Sequence, residues 1–181
     1  MKAIKMGILA LSLLTGLATS RSGTTESDYK AVFAKHYQVS KEFTLAVAEA
    51  MPAEDYGFKP QPEELSFGQL MVHIAAQNSQ SCANATGTKL PPSMPPYDAE
   101  PVPVMDKQSA IKLLTISYDT CARALEATPS EQWNKEVYKF QGQPVLAYEA
   151  LWYTFTHTAH HRAQAEVYLR VKNIKPPQWR F

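Results

Sequence analysis

Prolines divide this chain into helix-sized pieces. Pro52 closes one long apolar-patterned stretch, and six prolines at 91, 92, 95, 96, 101 and 103 interrupt the middle. Pro144 opens the last long stretch, and Pro176-Pro177 end it. Proline lacks a backbone donor and clashes with the preceding turn, so long helices are confined between these points. Each interval carries helical spacing. From about Asp28 to Ala50, the residues Val32, Tyr37, Val39, Phe43, Val47 and Ala50 form a broad stripe. From about Ser66 to Thr86, Leu70, Ile74 and Cys82 form an apolar edge, and Gln69, His73 and Gln77 a polar line. Ser66-Phe-Gly-Gln69 is a capping-box pattern at its start, and Gly87 a stop. From about Asp106 to Ala127, Asp106 is the N-cap, and Ile111, Leu114, Tyr118, Cys121 and Leu125 recur at helical spacing. The fourth helix spans about Pro144 to Lys172, with proline in the first turn.

The expected fold is all-α: a four-helix bundle over residues 28–177. A long crossover connection, Thr88 to Met105, joins helices 2 and 3 and carries the chain across an end. Thr128-Pro-Ser-Glu131 reads as a short capped turn. Val137 to Phe140, then Gln141-Gly142, reads as a short extended segment and turn. No internal repeat is visible.

The first residues differ from the rest. Lys2 and Lys5 precede an apolar run, Met6 to Leu17, followed by the small residues Ala18, Thr19 and Ser20. That is the pattern of a signal peptide over residues 1–20, with 21–27 as a polar linker. The run is too short for an ordinary membrane span. Export, to a periplasmic location, is therefore expected, with no stable membrane association after cleavage. Formal net charge is +1, and no basic run suits nucleic acid. At 45% hydrophobic residues the chain can fill one core, which disfavours disorder and a multi-span membrane protein.

Cys82 and Cys121 are the only cysteines. Export would permit a disulfide. Because free cysteine is commonly buried, two buried thiols on separate helices are the expectation.

The chemistry rests in histidines. His157 and His161 are four residues apart, about one helical turn, so their rings project from one face. His160 could replace His161 at i, i+3, and spacing alone does not choose. If His73 comes alongside, three imidazoles converge and leave one coordination position open, as a catalytic metal requires. No Ser–His–Asp order, glycine-rich phosphate loop or paired-cysteine zinc pattern is present.

Met51-Pro-Ala-Glu-Asp-Tyr-Gly-Phe-Lys59 and Leu65-Ser-Phe-Gly-Gln-Leu-Met-Val-His73 resemble the opening half of the DinB-like (YfiT-like) family. His157 through Gln164, continuing Ala-Glu-Val-Tyr-Leu-Arg170, resembles its closing motif. The resemblance covers about Asp28 to Pro177. It implies a four-helix bundle holding a divalent cation on His73, His157 and His161, with His160 pointing away. Ala163 stands where the family has glycine, and being small it is expected to preserve helix packing. Characterised relatives include thiol-dependent transferases and isomerases of the cytosol, whereas an exported protein meets little low-molecular-weight thiol.

The functional expectation is a metal-dependent enzyme, thiol-transferase-like or hydrolase-like, acting on a small-molecule substrate. Zn²⁺ is the default for three imidazoles, with Ni²⁺, Fe²⁺ or Mn²⁺ as alternatives. The competing expectation is a non-catalytic metal-binding or stress-response bundle, and a third is a metal-free scaffold. Gln77 and Gln164 are placed to orient ligands or bound water. Arg162 is expected in a surface or inter-helix ion pair, His36 exposed, and Tyr153 and Tyr168 in packing, with Tyr168 also a pocket donor. A homodimer is compatible with a bundle, though no motif specifies one.

Overall fold

The computed structural model describes residues 26–181, with side chains from Tyr29 onward. The leader and most of the linker lie outside the described residues. Four long helices form: α1 (Glu26–Ala50), α2 (Phe67–Thr86), α3 (Lys107–Ala127) and α4 (Ala147–Val171). Their ends follow local chemistry. Ser66 Oγ accepts from Gln69 N at 3.2 Å, and Gln69 Oε1 accepts from Ser66 N at 3.0 Å, completing the capping box. Asp106 caps α3 by accepting from Ser109 N at 2.9 Å. Gly87 closes α2 at φ 72°, where a Cβ would be penalised.

Two sequence expectations change locally. Pro144 belongs to a strand rather than to the last helix. β1 (Glu136–Phe140) and β2 (Gln143–Leu146) pair antiparallel around Gln141 and Gly142, at φ 48° and 79°. Positive φ at both central residues is what a tight hairpin turn needs. α4 then starts at Ala147, with the Glu149 carboxylate accepting from Leu146 N at 2.7 Å. At the other end of the same connection, Thr128 does not cap the following turn. Its hydroxyl donates back to Ala124 O at 2.7 Å and closes α3.

Cross-helix bonds give the helix directions. Lys30 Nζ donates to Glu126 O, Lys41 pairs with Asp119, and Lys107 meets Glu49 at 3.2 Å, so α1 and α3 run antiparallel. Tyr168 OH donates to Leu65 O at 3.1 Å beside the start of α2, while Thr158 meets Asn78, so α2 and α4 are antiparallel too. α1 and α2 each pack against both α3 and α4. α2 and α3 are therefore parallel neighbours. The connection from Thr88 to Met105 does not cross an end: it returns along the bundle, about 30 Å for a 20-residue helix. Gln69 Nε2 ties this connection down by donating to Val102 O at 2.8 Å. Gly68 allows the close approach, since an added Cβ would lie 3.2 Å from Met105 O and 3.1 Å from the Tyr56 ring.

The core has two parts. One gathers Phe43, Val47, Met51, Phe67, Met71, Ile74, Leu114 and Leu169. The other gathers Phe33, Tyr37, Tyr118, Trp133, Ala150 and Leu151 with both cysteines. Between them every helix contributes buried polar groups: Ser40 and Thr44, Asn78, Ser117, and Thr154 and Thr158.

The cysteines are not free thiols. Cys82 and Cys121 form a disulfide across α2 and α3, with Cα atoms 5.7 Å apart. Parallel helices explain it, because each cysteine sits about four turns into its helix and so at the same height. The bridge closes a loop of 39 residues. Replacing both cysteines by serine is expected to cost about 2–4 kcal/mol of stability. Denaturant unfolding of the two proteins under non-reducing conditions measures the difference.

Candidate metal centre

His73 on α2 and His157 and His161 on α4 come together at the polar level of the bundle. One ring nitrogen from each lies within 4.8 Å of the others. His73 Nε2 and His157 Nε2 are 3.1 Å apart. His161 stands edge-on to His73, with ring centroids 4.6 Å apart. Two nitrogens bound at about 2.1 Å to a tetrahedral cation would sit about 3.4 Å apart, so the triad fits an ion with little movement. His160, the alternative that spacing left open, is exposed beside His161 and outside the group.

The surroundings orient the rings. His161 Nδ1 donates to Gln164 Oε1 at 2.7 Å, which leaves Nε2 with its lone pair for the centre. Gln77 does not reach a histidine: its amide donates to Ser81 Oγ at 3.0 Å. Behind the rings, Thr158 Oγ1 donates to Asn78 Oδ1 at 2.8 Å in full burial. Nothing in the sequence singles out this pair in advance, although an Asn in the middle of a helix otherwise built for burial is a usable signal. Among the described residues His157 Nδ1 is buried without a hydrogen-bond partner, and that ring's polar contact is through Nε2. Tyr153 lies against His157 with centroids 5.5 Å apart and is exposed, so it flanks the site rather than filling the core. Tyr168 is buried and spends its hydroxyl on Leu65 O, so it is not a pocket donor.

Electrostatics keep the triad neutral. Burial, aided by the other histidines, pushes His157 down to about 3. Burial also brings His161 down to about 4, against the Gln164 hydrogen bond that favours its charged form. Burial lowers His73 as well. Neutral imidazoles carry the lone pairs that a metal needs, without competition from protons at pH 7.

Other expectations shift. Among the described residues Arg162 makes no ion pair. Its Nη1 donates to Thr44 Oγ1 at 3.2 Å and Ser40 Oγ at 3.4 Å, and its guanidinium lies 4.4 Å from the Phe43 ring centroid. His36 is half-buried against Phe181 instead of exposed. Ala163 is exposed, so the change from glycine meets no packing constraint there.

The molecule is thus a four-helix bundle with a crossover connection and a three-histidine cluster that could hold a metal ion. The sequence profile of the DinB superfamily matches residues 37–165, and the chain belongs to that superfamily. No curated protein matches it. Among solved structures, a DinB-like protein from Bacillus cereus ATCC 10987 superposes with a TM-score of 0.69 at 19% identity, covering 82% of this chain and 95% of that one. A DinB-like protein of Bacillus subtilis, YjoA, gives 0.65 at 19% identity, covering 82% and 96%. A mycothiol-dependent maleylpyruvate isomerase gives 0.59 at 19% identity, covering 78% of this chain and 62% of that one. At such identity these likenesses carry the fold.

The lowered histidine values set a pH dependence for the metal-free protein. Unfolded histidine takes up its proton near pH 6.5, whereas folded His157 and His161 resist until about pH 3 and pH 4, and burial lowers His73 too. The unfolded state therefore binds more protons in that window, and stability present above pH 6.5 falls as pH drops through it. Thermal melts of chelator-treated protein from pH 8 to pH 4 should show the loss. Replacing His157 with Phe should flatten the slope.

Proposed function

We propose that this DinB-superfamily protein is a divalent-metal-dependent enzyme, thiol-transferase-like or hydrolase-like, with His73, His157 and His161 as the ligands. The observation that carries the reading is the convergence of three neutral imidazole nitrogens within 4.8 Å. Among the described residues only these three form the group, which leaves a position for water or a small-molecule substrate. Zn²⁺ suits an all-imidazole set, with Ni²⁺, Fe²⁺ or Mn²⁺ as alternatives. The bound ion would act as a Lewis acid or lower the pKa of the group it holds.

The protein's own contributions follow from position. Gln164 fixes the His161 tautomer, and the buried Thr158–Asn78 bond steadies the backs of α4 and α2. A hollow of about 570 Å³, lined by Gln77, Gln80, Tyr97, Tyr138, Glu149 and Tyr153 among others, meets the triad through Tyr153, which lies against His157, and is roomy enough for a small substrate. A mycothiol-dependent isomerase among the structural neighbours supports thiol chemistry as one branch of the reading. The other branch, hydrolysis, is supported by the location we infer. The leader-like first residues and the Cys82–Cys121 bridge both suit an exported, periplasmic protein, where low-molecular-weight thiols are scarce. Among the described residues no helix is long and apolar enough to cross a membrane, consistent with release after leader cleavage. No nucleic-acid partner is proposed.

Elemental analysis of protein expressed in the periplasm tests the ligand set. Wild type is expected to hold about one divalent ion per chain, as three ligands with an open position require. His73→Ala and His161→Ala should lose most of it, while His160→Ala should keep it. Full metal in His73→Ala would remove the proposed site. An exchangeable water at the bound ion, read by anion titration of the Co²⁺-substituted protein, separates an enzyme from a closed binding bundle.

A further inference from the structure

A second cavity lies on another side of the bundle, between α1 and α4. It encloses about 440 Å³, within the range of small-molecule pockets. Phe33, Phe43, Trp152 and Phe155 supply aromatic walls from the helices, and Trp179 and Phe181 supply two more from the segment after α4. Trp152, Trp179 and Phe181 remain 58%, 67% and 80% exposed, an unusual concentration of aromatic surface on one rim.

Among the described residues the charged lining is of one sign: Arg162 and Arg180 reach this cavity, beside His36, and no aspartate or glutamate lines it. Arg180 is already paired with Glu42 at 3.3 Å. Among the described residues Arg162 has no acidic partner: its protein acceptors are the Ser40 and Thr44 hydroxyls, and both engage the same nitrogen, Nη1. Glu166, the acid whose charge it feels, is instead held by Arg170 at 3.8 Å. A partly buried guanidinium with free donors and no salt-bridge partner among the described residues is costly in an apolar setting. It matches a carboxylate, which can accept two parallel N–H bonds.

We propose that this cavity binds a small carboxylate with an apolar, aromatic or aliphatic body, the carboxylate on Arg162 and the body among the aromatic walls. The site is independent of the three-histidine cluster, so either can fail without the other.

Calorimetric titration of the full-length protein, metal-loaded and chelator-treated, with 4-phenylbutyrate and with uncharged 4-phenylbutanol tests this. In both metal states the carboxylate should bind at least about tenfold more tightly than the alcohol, the order expected of charge-assisted hydrogen bonds. Arg162→Gln should abolish that preference. Ala159→Trp, at an exposed position of the cavity wall, should block both ligands while leaving the melting temperature and metal content unchanged. If Arg162→Gln does not fold, the alcohol comparison and Ala159→Trp still decide. Equal affinities, no saturable binding at millimolar ligand, or unchanged binding in Ala159→Trp would overturn the proposal. So would binding that disappears with the metal, because that places the carboxylate on the ion.

Discussion

Everything in this molecule is arranged around a polar level halfway along the helices. Above and below it the core is apolar and closely packed. At that level Ser40, Thr44, Asn78, Ser117, Thr154 and Thr158 are buried on all four helices. Buried polar groups cost stability unless bonded. Most here are bonded across or along helices, as in Thr158 to Asn78 and Ser40 to the Tyr118 hydroxyl. Such pairs fix the relative height of the helices in a way that apolar contacts do not, since a slip of one turn would strand each partner.

Fixed height is what the histidines need. His73 is on α2 and the other two are on α4, so their meeting depends on the register of two antiparallel helices. The Asn78–Thr158 bond lies one residue beyond His157 on α4 and about one turn beyond His73 on α2. The Cys82–Cys121 bridge pins α2 to α3 a turn further on. The triad is therefore held by a fully buried hydrogen bond and a covalent link rather than by loops. Burial does a second job by keeping the rings neutral.

Much of the fold was legible because its signals are local. The Ser66–Gln69 box, the Asp106 cap and the Gly87 stop depend on residues within one turn of each other, and all three form. The prolines placed the crossover connection correctly but not its path. That path depends on α2 and α3 being parallel, which is a property of the whole bundle. The same hidden fact explains the cysteines, which looked like separate buried thiols until the helices lay side by side. Pro144 misled because proline suits a first helical turn as well as a two-stranded hairpin, where both strands are edges. Arg162 looked like a surface cation because its hydroxyl partners on α1 are more than a hundred residues away. For the site, spacing left His160 and His161 level. The resemblance favoured His161, and the helix packing brings it to the other two rings.

The central claim is that these three imidazoles surround one cation and leave a position open. X-ray absorption spectroscopy of the Zn²⁺-loaded protein addresses it most directly. The account predicts three imidazole nitrogens at about 2.0–2.1 Å, with one further light ligand that changes when a competing anion is added. Two imidazoles, or a fourth ligand from the protein that no anion displaces, would contradict it.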